Sequence, residues 1–200
     1  MSLSLARFLR PLAAPLLALG LLAACTPPAP VFHSTDITGA EYGQKLRLTD
    51  HHGRERTLAD FKGKVVTIFF GYTQCPDVCP TALSDMSMVM QQLGADGDKV
   101  QVLFVTVDPE RDTPALLAEY VPVFDQRFLG LYGTPEQIAE VAKDFRVFYR
   151  KSGDLDGHYT VDHSAGTYVF DPQGRLRLYM KHGAEPAEVT ADIAALLAGK

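Results

Sequence analysis

Two continuous apolar runs are typical of strands buried in the middle of a sheet. Residues 64–70 and 100–107 are rich in β-branched and aromatic side chains, and each has the length of a strand. Two shorter runs, 167–170 and 176–180, flank Asp171-Pro172-Gln173-Gly174, which favours a tight turn. The pattern predicts two central strands early in the domain and a hairpin late in it.

Helical periodicity and capping signals predict helices between these strands. Apolar side chains recur at helical spacing from Pro80, which can occupy the first turn of a helix, to Gly94. Thr113-Pro114 and Thr134-Pro135 each provide an N-cap residue followed by proline at the first helical position. Gln137 lies where a capping box requires a glutamine or glutamate. We therefore expect helices after residues 80, 113 and 134.

The remaining segments complete an α/β layout. Residues 45–48 and 54–58 flank a turn at residues 50–53 and predict an N-terminal hairpin. Residues 146–150 predict a further strand, and residues 185–197 a closing helix. The order of elements indicates one central sheet flanked by helices, of the thioredoxin-like type, with the N-terminal hairpin as an extension.

The first residues have the pattern of an export signal. Arg7 and Arg10 precede an apolar stretch over residues 11–24, which is too short to span a membrane and ends in Leu22-Ala23-Ala24 before Cys25. A cysteine directly after small residues resembles the bacterial lipobox. That resemblance implies that Cys25 becomes the mature N-terminus and carries lipid; an uncleaved anchor or a soluble secreted form are the alternatives.

These signals divide the chain into three parts. Residues 1–24 are predicted to be a lipoprotein-type signal peptide, residues 25–38 a lipidated, proline-rich tether, and residues 39–200 the folded domain. The protein is therefore expected to be exported and held at a membrane by its lipid, facing the periplasm or the cell exterior.

Composition narrows the classes of function. The chain has 200 residues, of which 46% are hydrophobic and 22% charged, enough for a folded core. A net charge of -5 gives no support for binding to nucleic acid, which favours a basic surface. Of the three cysteines, Cys25 stands alone, whereas Cys75 and Cys79 form a pair.

The paired cysteines lie where the first buried run meets the first predicted helix. The sequence Cys75-Pro76-Asp77-Val78-Cys79-Pro80 follows the glycine that ends that run, so both sulfurs are expected on one exposed rim. The start of a helix favours negative charge, which lowers thiol pKa values and favours thiolates. Thiolates are nucleophiles and soft metal ligands. Two of them favour Cu(I), and an added imidazole also suits Cu(II).

His163 is the candidate third ligand. It precedes the strand at residues 167–170, where redox enzymes of thioredoxin-like fold carry a cis-proline facing the cysteine loop. This chain has no proline between Pro135 and Pro172, and His163 takes that position. An imidazole in place of the proline suits a metal site. The neighbouring Asp162 is either a partner that orients its surroundings or a loop residue.

Three stretches resemble the Sco/SenC family closely. The matching stretches are Gly71-Tyr72-Thr73 with Cys75-Pro76-Asp77-Val78-Cys79-Pro80, then Val107-Asp108-Pro109-Glu110-Arg111-Asp112-Thr113-Pro114, then Asp162-His163-Ser164-Ala165 followed by Tyr168. The resemblance implies a thioredoxin-like fold with copper bound by Cys75, Cys79 and His163. It also implies a role in loading the dinuclear copper site of cytochrome c oxidase subunit II, by metal transfer, by thiol reduction of the target, or by both. An upstream copper donor and a thiol reductant are then required as further partners.

Other interpretations of these residues stay open at this point. Cys75 and Cys79 could form a structural disulfide, or serve as the redox pair of a thiol–disulfide oxidoreductase. A structural zinc site would need a fourth ligand, for which Asp77 is a weak candidate beside its role as a helix-start residue. A peroxidase is disfavoured because no peroxidatic motif surrounds Cys75.

Histidines and methionines elsewhere have simpler interpretations. His51 and His52 lie in a predicted turn and are expected to be solvated. Met86 and Met90 have the spacing of one buried helix face, which indicates core packing rather than a soft copper surface.

Overall fold

The protein's structure, a computed structural model, describes residues 31–154 and 158–200. The predicted signal peptide, residues 1–24, and the predicted lipidation site Cys25 lie outside the described residues. Of Asp154 and His158, only the backbone is considered.

Within the described residues, ten strands and four α-helices follow one another along the chain. The strands are Thr35–Asp36 (β1), Arg47–Asp50 (β2), Glu55–Thr57 (β3), Val65–Gly71 (β4), Val100–Thr106 (β5), Leu129–Tyr132 (β6), Tyr149–Asp154 (β7), His158–His163 (β8), Thr167–Phe170 (β9) and Leu176–Met180 (β10). The helices are Val78–Leu93 (α1), Pro114–Tyr120 (α2), Pro135–Asp144 (α3) and Pro186–Leu197 (α4). Short 3-10 turns cover Leu58–Phe61, Gly94–Lys99 and Val121–Val123.

Eight strands form one central sheet in the order β1-β10-β9-β4-β5-β6-β2-β3. The strands β4, β5 and β6 run parallel, while β9 and β10 on one side and β2 and β3 on the other add antiparallel pairs. The remaining two strands, β7 and β8, pair only with each other within the described residues. The predicted α/β class, with helices on a thioredoxin-like sheet and an N-terminal hairpin at its edge, is confirmed.

The two apolar runs form the centre of the sheet, as predicted. Every residue of β4 and β5 is buried, and the strands pair in register from Val65 opposite Val100 to Gly71 opposite Thr106. A strand buried on both faces needs apolar side chains at every position, which explains the continuous runs. Gly71 therefore ends β4 at the centre of the molecule, and the cysteine loop that follows starts from a rigid position.

Capping residues set the helix starts as expected, with one shift. Thr113 and Thr134 accept hydrogen bonds from the backbone N–H groups of Leu116 and Gln137, and Gln137 completes the capping box of α3. The first helix begins at Val78, two residues before the predicted start at Pro80. Cys79 therefore lies in the first turn of α1, and Cys75 lies three residues before the helix begins.

The strand predicted at residues 146–150 is displaced towards the C-terminus. Arg146 has a φ of 57°, and its N–H bonds to the carbonyl of Lys143, so it ends α3 in a left-handed conformation instead of starting a strand. The guanidinium of Arg146 lies over the ring of Tyr42, 4.3 Å from the centroid. Strand β7 begins only at Tyr149.

The turn between β2 and β3 corrects the prediction for one of its two histidines. His52 is exposed as expected, but His51 is buried, and its Nδ1 accepts a hydrogen bond of 3.0 Å from the N–H of Gly130 at β6. The buried carboxylate of Asp50 accepts bonds from the N–H groups of His52 and Arg54 and so closes the turn. The predicted turn exists, but it packs against the sheet.

Met86 and Met90 of α1 are buried in the core, as predicted.

The segment ahead of the predicted domain start takes part in the fold. Strand β1 pairs with β10, although it lies before residue 39. The N–H groups of His33 and Ser34 donate to the two carboxylate oxygens of Asp192 on α4, at 2.9 and 2.8 Å. The last residues of the predicted tether, 25–38, are thus fastened to the domain.

Candidate metal centre

The cysteine loop presents one buried and one partly exposed sulfur. Cys79 is fully buried in the first turn of α1, whereas Cys75 in the loop is half-buried, and both are free thiols. The N–H of Cys79 donates to the Sγ of Cys75 over 3.3 Å. In this structure, therefore, Cys75 and Cys79 are not joined by a disulfide. The loop instead holds two adjacent sulfurs with unequal access to solvent.

His163 is the last residue of β8, a strand that the sequence interpretation treats as a loop. Its ring packs edge-to-face against Phe69 and Tyr72, with both centroids 5.9 Å away. Its Nδ1 lies 3.0 Å from the carbonyl oxygen of Ser164. Because a carbonyl oxygen can only accept, Nδ1 carries the proton, and Nε2 keeps a free lone pair. That lone pair faces the Sγ of Cys79 at 3.4 Å.

The three predicted ligands therefore converge. Among the residues that the structure describes, Cys75, Cys79 and His163 form the only cluster of this kind, with their donor atoms all within 4.8 Å of one another. Cys75 and His163 line an open cavity of about 270 Å³ together with Tyr72, Pro76 and their neighbours, whereas Cys79 is fully buried beside it. Two sulfurs and one imidazole are a donor set that suits copper, whereas structural zinc would require a fourth ligand.

Burial changes the expected protonation of the site. It raises the pKa of the Cys79 thiol well above the ordinary range, and the hydrogen bond with Cys75 adds to the effect. The expectation that the helix N-terminus makes both sulfurs thiolates is therefore wrong for Cys79, because loss of solvent outweighs the helix. Burial also lowers the pKa of His163, so the imidazole stays neutral and able to bind a metal.

Comparison with known proteins places the chain in a family. A sequence model of the SCO1/SenC family matches residues 34–198. The chain belongs to the SCO1/SenC family. Its relatives include the mitochondrial SCO2 homolog of Bos taurus, 44% identical over 149 residues, which are 73% of this chain and 56% of the bovine protein. The chain spans a little more than half the length of that curated relative and of its mouse and human counterparts.

Solved SCO1/SenC structures share the fold. ScoI from Bradyrhizobium japonicum, with copper bound, has a TM-score of 0.70 and 45% identity over 75% of this chain and 96% of that one. The apo Sco1 protein of Thermus thermophilus has a TM-score of 0.71 and 39% identity, covering 86% of this chain and 98% of that one.

In this SCO1/SenC protein, a buried carboxylate holds the start of the cysteine loop. Asp112 accepts hydrogen bonds from the N–H and hydroxyl of Thr73, at 3.0 and 2.6 Å, and from the hydroxyl of Thr106 at 2.7 Å. From the sequence alone, residues 108–114 were assigned only the N-cap at Thr113 and a part in the family resemblance. The contact between Thr73 and Asp112 was not predictable from local sequence, because the two residues are 39 positions apart. The family resemblance of this charged segment was the one signal that it has a role at the site.

The two aspartates next to the ligands are not part of the cluster. Asp77 is exposed at the N-cap position of α1 and makes no capping bond with its side chain. Asp162 is half exposed and pairs with Arg150 on the facing strand of the hairpin, at 3.4 Å. Asp162 lies in strand β8, so it is not the loop residue of one interpretation, and the side chain that its carboxylate pairs with is Arg150.

Proposed function

We propose that this protein is a copper carrier that binds one copper ion through Cys75, Cys79 and His163. The observation that carries the proposal is the convergence of two thiol sulfurs and a correctly oriented imidazole Nε2 within 4.8 Å. The copper-bound Bradyrhizobium relative supports the choice of metal. Soft sulfurs select copper over magnesium and calcium, and the imidazole accommodates either oxidation state.

The unequal exposure of the sulfurs suits transfer rather than permanent storage. Copper binding displaces the thiol protons, after which the two sulfurs and the imidazole hold the ion. A thiolate of a partner protein can approach through the open cavity and bind the copper from the side of Cys75. Each new copper–sulfur bond then replaces one bond to this protein. Cys79, which is fully buried, is the last to release the ion.

The receiving partner that we propose is subunit II of cytochrome c oxidase, at its dinuclear copper site. This assignment rests on the family resemblance of the cysteine and histidine motifs. It requires an upstream copper donor that refills the site and a thiol reductant that keeps Cys75 and Cys79 reduced. Nucleic acid is not a proposed partner, because the chain is acidic.

A second candidate function is the reduction of a disulfide in that same partner. Cys75 is accessible, its sulfur accepts an amide N–H, and Cys79 is adjacent. The Cys75 thiolate would attack one partner sulfur to form a mixed disulfide, and Cys79 would then attack Cys75. The partner leaves with two thiols, this protein keeps the Cys75–Cys79 disulfide, and the reductant restores it with two electrons.

A His163→Ala variant separates the two functions. We expect it to lose tight copper binding and copper transfer to the reduced, copper-free copper domain of subunit II. We also expect it to reduce the oxidised form of that domain at the wild-type rate, because both sulfurs remain. Bound copper is counted in each protein after anaerobic mixing and separation, and partner thiols are counted in a parallel reaction.

His182→Ala is the matched control, since His182 is an exposed histidine outside the site. It should retain wild-type copper binding and transfer. Wild-type protein that binds no more copper than His163→Ala, yet reduces the partner, would replace the carrier function with the reductase function.

We further propose that the protein is exported and lipid-anchored through Cys25. The proposal rests on the small residues that directly precede Cys25 after a short apolar stretch. As a separate finding, no helix in the described part of the chain is both long and apolar enough to span a membrane. Expressed at full length in a bacterium that processes lipoproteins, wild-type protein should fractionate with membranes and have the mass of a lipidated chain starting at Cys25. Cys25→Ser should lose both properties, whereas Cys75→Ser should keep them. A Cys25→Ser protein that stays membrane-bound with unchanged mass would overturn the anchor.

A further inference from the structure

The hairpin that carries His163 is separate from the main sheet. Strands β7 and β8 pair with each other from Tyr149–His163 to Asp154–His158, and in the described residues no ladder joins them to the eight-stranded sheet. At the base of the hairpin, Ser164 and Phe148 exchange two hydrogen bonds of 2.9 and 3.0 Å. Contacts outside the strand ladders, between the hairpin and the rest of the domain, therefore help to set the distance from His163 to Cys79.

The side chain of Arg111, in the loop between β5 and α2, makes the central contact. Its Nε donates to the buried carboxylate of Asp108, and its Nη1 donates to the backbone carbonyl of Tyr159 in β8 at 2.9 Å. The same Nη1 lies 3.2 Å from the side-chain oxygen of Gln74, the residue before Cys75. One mostly buried guanidinium thus contacts its own loop, the cysteine loop and the histidine hairpin.

Tyr159 strengthens the contact from the side of the hairpin. Its hydroxyl donates to Asp108 at 2.7 Å, so Asp108 receives bonds from Arg111 and from Tyr159. The guanidinium carbon of Arg111 lies 3.6 Å from the centre of the Tyr159 ring, and the ammonium of Lys151 lies 4.7 Å from it. Lys151 also pairs with Glu110 of the same loop at 2.6 Å. Ring stacking, two hydrogen bonds and an ion pair therefore converge on one point of the hairpin.

We propose that Arg111 is a positioning residue for His163: together with Asp108 and Tyr159 it holds the hairpin so that the imidazole Nε2 faces Cys79. The proposal rests on copper binding at Cys75, Cys79 and His163. Tyr159 and His163 are four residues apart in β8, so their side chains lie on the same face of the strand. A shift of the hairpin at Tyr159 would consequently be transmitted along a short, stiff strand to His163.

The geometry requires arginine rather than any cation. The planar guanidinium donates through Nε and Nη1 in two fixed directions while its face lies on the Tyr159 ring. A lysine ammonium can pair with Asp108 but cannot hold all three contacts at once. Arg111→Lys therefore keeps a charge beside the buried Asp108, which protects the fold, and loses the fixed orientation.

The test compares copper affinity in Arg111→Lys and wild type by competition with a Cu(I) chelator. We expect affinity to fall about 10-fold to 100-fold, the cost typical of losing a partner that orients a metal ligand. Tyr159→Phe, which loses only the bond to Asp108, should reduce affinity in the same direction and by less. Arg127→Lys is the matched control, because Arg127, like Arg111, is paired with aspartate but lies outside the site; it should bind copper as wild type does.

A double variant shows whether the effect passes through the histidine. In a His163→Ala background, Arg111→Lys should cause no further loss of copper affinity, since the residue being positioned is gone. An equal loss with and without His163 would overturn the proposal and assign Arg111 a general structural role. An Arg111→Lys affinity equal to that of Arg127→Lys would overturn it as well.

A measurement on the copper-free protein tests the positioning role of Arg111 independently of the proposed copper-carrier function. In the copper-free protein, NMR cross-relaxation between the rings of His163 and Tyr72 reports the edge-to-face contact at 5.9 Å. Arg111→Lys should weaken that signal, and Arg127→Lys should not. Absence of copper binding in wild type would refute the carrier function, and the ring contact would still decide whether Arg111 positions the hairpin.

Discussion

Replacing Cys79 with serine is expected to abolish tight copper binding. Its Sγ lies 3.4 Å from the Nε2 of His163, and its N–H bonds to the Sγ of Cys75. A serine hydroxyl fits the same space but offers a hard oxygen, which Cu(I) disfavours as a ligand. Copper affinity should fall by more than about 100-fold, because the substitution removes a direct ligand. Loss of a residue that only orients a ligand typically costs up to about 100-fold.

Metal analysis after anaerobic loading and dialysis against a chelator measures this effect. Near one copper per chain is expected for wild type and near zero for Cys79→Ser. Met90→Leu is the control, since Met90 is another buried sulfur on the same helix that packs in the core. It should leave the copper content unchanged. Full copper content in Cys79→Ser would contradict the three-ligand site.

Gly71→Ala should damage both the fold and the metal centre. A Cβ on Gly71 would lie 2.8 Å from the Sγ of Cys79, 2.8 Å from the ring of Phe69 and 2.9 Å from the ring of Phe104. All three neighbours are buried, so none can move freely. Overpacking of this kind costs about 1–3 kcal/mol of unfolding free energy. Because one displaced atom is a ligand and Phe69 packs against His163, copper affinity should fall as well.

Urea unfolding and chelator competition measure the two effects separately. Gly63→Ala is the informative comparison: its Cβ would meet nothing within 4 Å, but its φ of +88° strains any residue with a side chain. It should lower stability by about 1 kcal/mol and leave copper affinity unchanged. If both variants lost stability and neither lost affinity, the contact between Gly71 and Cys79 would be irrelevant to the site.

The parts of the fold that sequence predicted well are those set by local rules. The buried strands β4 and β5 follow from continuous apolar runs, and the starts of α2 and α3 follow from Thr-Pro capping pairs. Strand β6 was missed because its four residues, Leu129–Tyr132, show no periodicity and are ordered by pairing with β5 and β2. Such pairing depends on distant residues and leaves little trace in the local sequence.

At the candidate site, too, some features follow from local sequence and others depend on distant residues. The positions of Cys75, Cys79 and His163 follow from motif and fold, and the structure does bring them together. Their protonation was not predictable, because the pKa of Cys79 depends on burial by residues far along the chain. Strand β8 left a signal that was overlooked: Tyr159 and Val161 alternate with polar residues and are buried, as in a half-buried strand.

The separation of the hairpin from the cysteine loop along the chain affects how copper is linked to folding. Cys79 and His163 are 84 residues apart, so an unfolded chain offers copper only the local cysteine pair. A ligand stabilises the native state only to the extent that it binds that state more tightly than the unfolded ensemble. Copper therefore stabilises the folded protein only by the extra binding free energy that His163 and the ordered cysteine loop provide, beyond what two cysteines provide in the unfolded chain. An unfolded chain can acquire copper through its two cysteines before it folds, and folding of the hairpin against the cysteine loop then adds His163 to complete the coordination.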